Sequence, residues 1–443
     1  MFKGYPPATT RTLNSLVNVA PQRFLKRVLV FDRQDRRESM SGYCHDEFES
    51  VAAVFSKQIK RTSGGAAVAV YHRGKLVVDL WGGQRIEGEP WQQDTVAMSF
   101  STTKGVVSTG IHLLADRGLI DYDARVTEYW PEFGQNGKQD VTVRNVLTHS
   151  CGLHRIRSLV DRAERMLDWD YMTNALAEAA PAYPVGKRSG YHALTYGWLA
   201  GEIVRRVSGQ SISAFVRDEI ATPLNADGMY VGLPSQERER VAPLGPIAIP
   251  RTKRGSSLKI VEKTVGKTIG KAISASPVPI NTRRLANALA PRGVEDVLIG
   301  PDIMDAEIPA ANGFFTARSL AKMYAMYSGW GEVDGVRMLS EETIAKVATP
   351  QKRGLDLVLF APMDWRLGFH RIATTRGPLP RAFGHFGFGG SGAWADPSRD
   401  LAIAMVCSRG TGTPVGDLRI LTLGAAAVKD ADARDRRDAQ LAS

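Results

Sequence analysis

Ser101-Thr102-Thr103-Lys104 places a hydroxyl three residues before an amine, at the point where an apolar helical pattern starts. Val107, Ile111 and Leu114 carry that pattern on and Gly118 closes it, which predicts a helix opening beside the serine. Ser101 and Lys104 then share one face, one turn apart, at the positive end of the helix dipole. An amine there can take the hydroxyl proton, and the unpaired N–H groups of a helix start can hold a developing oxyanion. The chemistry on offer is nucleophilic attack by serine. The same S-x-x-K spacing recurs at Ser256/Lys259, in a lysine-rich stretch, and at Ser319/Lys322, inside a helical pattern that begins near Thr316. Of the three, Ser101 alone stands where a strand or loop gives way to a helix.

Two later segments add groups of the right kind. Tyr191-His192-Ala193-Leu194-Thr195-Tyr196 follows the turn-rich run 184–190 and precedes a helix carrying Leu199, Ile203, Val204 and Val207. His385-Phe386-Gly387-Phe388-Gly389-Gly390 stands between two strand-like runs near the C-terminus. Tyr196 is a rival to Tyr191, but its place inside the helical run is that of a packed aromatic. His192 is expected to line the cleft, and His149 and His154 to brace a loop. No third ligand lies near those two and H-E-x-x-H is absent, so no metal is expected. G-x-S-x-G is also absent, which excludes the nucleophile elbow of the α/β-hydrolases.

Serine, lysine, tyrosine and then a Lys-or-His-x-Gly, in that order, resemble the serine hydrolases of the class C β-lactamase and penicillin-binding protein superfamily, most of all its family VIII carboxylesterases. The run 66–83 resembles that family's opening hairpin. Leu147-Thr148-His149-Ser150-Cys151-Gly152-Leu153 resembles its helix-to-loop signature, and Ala393–Pro397 with Leu401–Val406 its last hairpin. The resemblance runs from near Ala66 to near Gly424. It implies an acyl-enzyme on Ser101, with Lys104 and Tyr191 sharing the proton transfers. It also implies an oxyanion hole from the N–H groups of Ser101 and Phe388, and substrate contacts from His385, Gly387 and His192. No cofactor is implied. Two departures matter: Ala193 stands where β-lactamases and penicillin-binding proteins carry Asn, and His385 where they carry Lys. Losing an amide and a fixed cation shifts the expected substrate from carboxylate-bearing molecules to neutral esters with short to medium acyl groups. The alternatives are β-lactam hydrolysis or penicillin binding, acyl transfer to an alcohol or amine, and a membrane-associated binding protein that keeps the fold.

The chain has 443 residues and a net charge of +11. Residues 1–40 hold eight basic and three acidic residues, 251–273 hold seven basic and one acidic, and these segments account for the whole excess. The body is therefore nearly neutral, which argues against a nucleic-acid partner. Lys259, Lys263, Lys267 and Lys271 recur every four residues, as do Val261, Val265, Ile269 and Ile273. On a helix these make a cationic and an apolar stripe, suited to peripheral contact with an anionic membrane or to a solvated insertion. Three cysteines without a C-x-x-C pair are expected as thiols. The N-terminus lacks the apolar core and cleavage site of a signal peptide, and no window is long and apolar enough for a membrane span. A cytoplasmic location, with peripheral membrane or envelope association, is the expectation.

The organisation expected is a basic leader (1–44), a hydrolase domain (45–430) and a polar, frayed tail (431–443). Within the domain, 105–330 reads as helical and 248–275 as a basic insertion. Strand patterns at both ends with helices between them predict an α+β fold: an antiparallel sheet built from both termini, flanked by helices, with an inserted helical region.

Overall fold

The computed structural model describes residues 28–31, 40–62, 64–245, 287–289, 291–409 and 417–443. The basic insertion and its 251–273 stripe lie outside the described residues. The main sheet is formed by β1 (Val28–Phe31), β2 (Met40–His45), β3 (Gly65–His72), β4 (Lys75–Ile86), β5 (Lys352–Leu355), β6 (Pro362–Trp365), β7 (His370–Thr374), β8 (Gly377–Phe386), β9 (Gly392–Asp396) and β10 (Leu401–Cys407). Their order is β1-β2-β4-β3-β10-β9-β8-β7-β6-β5, with every neighbouring pair antiparallel. The join between the chain's two ends is β3 against β10, where Val70 faces Ile403 and Ala69 faces Ala404.

Residue size at that join decides what covers each face. Val68, Val70, Ile403 and Met405 point to one side, where α1 (Glu49–Ile59) and the last helix pack Val51, Phe55, Leu423 and Ala427 on them. Ala67, Ala69, Ala402 and Ala404 point to the other. These small side chains let the helix Ala317–Ser328 lie over β3 and β10 with Leu320 and Met323 buried. Side chains alternate faces along a strand, so this split follows from period two. A second, small sheet runs in the order Met229–Val231, Gly313–Phe315, Val96–Met98, Val241–Ala242. Its strand Val96–Met98 leads directly into the nucleophile turn.

Two boundaries differ from the sequence reading. Residues 28–31 and 40–44 are not leader: they form β1 and most of β2, which pair with each other, and β2 also pairs with β4. Residues 431–443 are not a frayed tail: one helix runs from Arg419 to Ala442. Its charges have partners on the body: Arg434 bonds Glu47 at 2.9 Å, Asp432 bonds Arg399 at 2.8 Å and Asp438 bonds Arg73 at 2.7 Å. Among the described residues, no helix is long and apolar enough to cross a membrane.

Candidate active site

A short turn, Phe100–Thr102, follows the strand Val96–Met98 and opens into the helix α2 (Thr103–Asp116), as the apolar spacing predicts. Phe100 takes a φ of 46°, a left-handed conformation that costs a non-glycine residue free energy. That strained residue immediately precedes Ser101. The Ser101 Oγ lies 2.9 Å from Lys104 Nζ, and the lysine is fully buried.

Lys104 Nζ has two other neighbours, the backbone carbonyls of Ala193 at 2.7 Å and Ala310 at 3.0 Å. Ala310 reaches this point because α3 (Thr195–Ser208) packs its Gly197 against residues 309–310, where a Cβ would meet Ala310 N at 2.5 Å. Burial pushes the Lys104 amine well below the ordinary lysine range. A neutral amine has two N–H donors and one lone pair. In that neutral form the two donors can go to the carbonyls, and the lone pair is then free to accept the Ser101 O–H. This is the arrangement of a general base.

Tyr191 stands across the pocket, which it lines together with Ser101. Its ring centroid is 5.0 Å from Lys104 Nζ, and it stacks on Trp365 at 5.8 Å with the planes 5° apart. Burial raises its phenol above the ordinary value, and the nearby Ser101 hydroxyl opposes that only in part. Burial thus favours the neutral form of both the lysine and the tyrosine. Tyr196 is a core residue whose hydroxyl lies 2.7 Å from Ser108 Oγ. At the third S-x-x-K, Ser319 Oγ donates to Gly228 O at 2.7 Å and Lys322 pairs with Asp334 at 2.9 Å, so both are structural. Ser256/Lys259 lies outside the described residues.

His385 sits at the end of β8 and lines the pocket with Ser101, Tyr191, Gly387 and Phe388. Its Nδ1 lies 3.1 Å from Phe386 O, and a carbonyl can only accept, so Nδ1 carries the proton. Burial, then the neighbouring His370 and Lys104, holds the imidazole well below its usual titration range. His385 therefore offers Nε2 as an acceptor and no positive charge. Among the described residues Nε2, itself buried, has no hydrogen-bond partner.

Gly387 passes so close to the nucleophile turn that a Cβ there would meet Ser99 O at 2.2 Å. That approach brings Phe388 beside the turn, with its ring edge-on to Phe100 at 5.5 Å. His192 does not join them. It is fully buried, and its Nε2 accepts the Leu153 N–H at 2.9 Å while its ring stacks on His149 at 5.5 Å. Its place is behind the site, bracing the 149–153 loop, and not on the pocket wall. His149 does the same work: its Nδ1 accepts the His192 N–H at 3.2 Å. All three cysteines are buried thiols.

The pocket has a volume of about 360 Å³ and walls of Leu289, Leu359, Met363, Trp365, Ile420 and Leu421, an apolar lining suited to an acyl chain. Several residues here carry no sequence motif. Asp356 Oδ1 accepts the backbone N–H groups of Tyr191 (3.1 Å), Val358 (2.9 Å) and Leu359 (3.0 Å). An Asp that bonds the N–H groups two and three residues on is an ordinary turn signal, and only the fold reveals the third partner. His370 Nε2 accepts the Phe386 N–H at 3.4 Å, and Trp365 holds the Tyr191 ring.

Comparison with known proteins shows which family the chain resembles. Residues 51–427 match the Beta-lactamase family. The chain is 38% identical over 392 residues to the Esterase/beta-lactamase LipL of Mycobacterium tuberculosis, covering 85% of each protein. The crystal structure of a family VIII carboxylesterase aligns with a TM-score of 0.77 and 33% identity, over 88% of this chain and 100% of that one. A penicillin-binding protein homologue from Caulobacter crescentus aligns with a TM-score of 0.73 and 34% identity, over the same shares of the two chains. A serine and a buried, carbonyl-capped lysine at the start of one helix are thus held in a fold shared along nearly the whole domain, and the chain belongs to the β-lactamase family of serine hydrolases.

Proposed function

We propose that this protein is a serine esterase that cleaves short to medium acyl esters through an acyl-enzyme on Ser101. The observation that carries the reading is the buried Lys104 amine, which lies 2.9 Å from Ser101 Oγ and has two backbone carbonyls as its other partners. Lys104 takes the Ser101 proton as Oγ attacks the ester carbonyl. The N–H groups of Ser101 and Phe388 hold the negative oxygen of the tetrahedral intermediate. The intermediate collapses, the C–O bond to the alcohol breaks, and Tyr191 relays the proton from Lys104 to the departing oxygen. Water then attacks the acyl-serine by the same steps in reverse and releases the acid.

His385 supports esters over carboxylate-bearing substrates, because an acceptor nitrogen gives a carboxylate nothing to bond. The relatives named above include an esterase and a carboxylesterase, which agrees with this choice. The protein's expected location is the cytoplasm, and fractionation with liposome sedimentation tests peripheral contact through 251–273. The deciding experiment on the chemistry is intact-mass spectrometry after a fluorophosphonate, beside p-nitrophenyl butyrate hydrolysis, in wild type and Ser101→Ala. Loss of both adduct and turnover in the variant is the expected result. An adduct and activity that survive the change overturn the mechanism.

A further inference from the structure

The loop that carries the Phe388 N–H reads Gly387-Phe388-Gly389-Gly390, with φ of +88° at Gly389 and +112° at Gly390. Three glycines in four residues make it among the most freely rotating stretches a chain can have. An oxyanion donor is useful only when its direction is fixed before the reaction. One end of the loop is closed by Gly387 N–H to Ser391 O at 2.8 Å. The middle is held from outside. Arg419 Nη2 donates to Gly389 O at 2.7 Å and to Arg409 O at 2.8 Å. The same guanidinium is gripped by Asp417, Nε to Oδ1 at 2.9 Å and Nη2 to Oδ2 at 2.6 Å. Gly390 lies against this pair: a Cβ there would meet Asp417 Oδ2 at 2.3 Å and Arg419 Nη2 at 2.4 Å.

The placement of the arginine is costly. It is the first residue of the C-terminal helix, where the helix dipole disfavours a cation, and its side chain is only 12% exposed. Burying an ion pair is also a poor route to stability, since desolvation offsets most of the attraction. A well-packed apolar residue would serve the helix better. What the guanidinium supplies is direction: Nε and one Nη2 hydrogen face the Asp417 carboxylate, and the other Nη2 hydrogen is shared between the Gly389 and Arg409 carbonyls.

We propose that Arg419, oriented by Asp417, is a positioning residue that fixes the glycine loop so that the Phe388 N–H points at the oxyanion. This rests on the Ser101 acyl-enzyme reading. The experiment measures kcat and KM for p-nitrophenyl butyrate in Arg419→Gln, Arg419→Lys and Asp417→Asn. Active sites are counted by fluorophosphonate labelling carried to completion. The expected result is full labelling of Ser101, with kcat per labelled site about ten- to a hundredfold lower and KM within about threefold. Arg419→Lys recovers part of the rate, because one ammonium can reach Gly389 O but cannot hold all three partners. Unchanged kcat per labelled site overturns the proposal, as does a loss of activity that matches a lower labelled fraction, the sign of a merely structural role. Failure of the underlying reading shows separately, as wild-type label on a residue other than Ser101.

Discussion

Asp356 holds Tyr191 by its backbone: the carboxylate accepts the tyrosine N–H at 3.1 Å from 165 residues away in sequence. The same oxygen takes the N–H groups of Val358 and Leu359, so one atom ties the tyrosine segment to the loop that walls the acyl pocket. Asp356→Asn keeps an oxygen in that place and is expected to retain most of the activity. Asp356→Ala leaves three buried N–H groups without an acceptor. It is expected to cost about 2–4 kcal/mol in urea unfolding and to lower kcat/KM by at least about tenfold, since small displacements of a proton donor are expensive. Equal kinetics for the two variants would remove Asp356 from the positioning of Tyr191.

Lys104 carries a second, testable cost. Its folded value lies well below the ordinary 10.5, so below pH 10.5 the unfolded chain binds more protons than the folded one. Stability contributed by this group therefore rises with pH toward 10.5 and is lost as pH falls. Lys104→Met removes that dependence. Urea midpoints measured from pH 7 to 9.5 are expected to rise more in wild type than in the variant, and the variant is expected to lose about a hundredfold or more in turnover. In wild type, the ascending limb of kcat/KM with pH is expected well below 10.5. Parallel midpoint curves would mean that the lysine is an ordinary cation in the fold.

The limits of the sequence follow from which interactions are local. Ser101 and Lys104 could be read because one helical turn brings them together, and Tyr191 because it stands just outside a helix start. Asp356 could not, since its role depends on a contact that only the tertiary fold makes. The carbonyl of Ala310 has no side-chain signature at all, although it is one of the two backbone partners of the Lys104 amine. The sequence places His192 beside Tyr191 in the cleft, yet its ring is taken up by His149 and the Leu153 N–H and does not line the pocket. Residues 431–443 look like a solvated tail because their charges have no local partner. Their partners, Glu47, Arg73 and Arg399, lie on the body of the protein. The sheet was legible as a class of fold, since alternating apolar runs at both ends have only each other to pair with.

His385 makes a prediction about selectivity. With Nδ1 committed to Phe386 O and no positive charge, the ring cannot pair with a carboxylate. Wild type is expected to cleave p-nitrophenyl valerate in strong preference to the p-nitrophenyl monoester of succinic acid. His385→Lys supplies a cation and is expected to narrow that preference by at least about tenfold, roughly 1.4 kcal/mol. Ratios of kcat/KM for the two esters decide the matter, because a general loss of activity cancels in the ratio. An unchanged ratio would show that the carboxylate never reaches this position.

Buried imidazoles should also set the acid limit of the fold. His112 is held near 3 and His370 near 4, in both cases chiefly by burial. An unfolded chain protonates its histidines near 6.5, so between that value and the folded one the unfolded state binds the extra proton. Stability present above pH 6.5 is therefore lost as pH falls, by about 2–3 kcal/mol for each group by pH 4.5. The first loss on acidification should come from these histidines, at a pH where most carboxylates are still ionised. Urea midpoints between pH 7 and 4.5 are expected to fall steadily in wild type. His370→Gln, which takes one of these groups out of the titration, should give a shallower slope, whatever its effect on the midpoint at pH 7. A variant slope equal to that of wild type would show that His370 accepts its proton inside the fold as readily as outside it, and its burial against Trp365 and His385 would then have no consequence for acid stability.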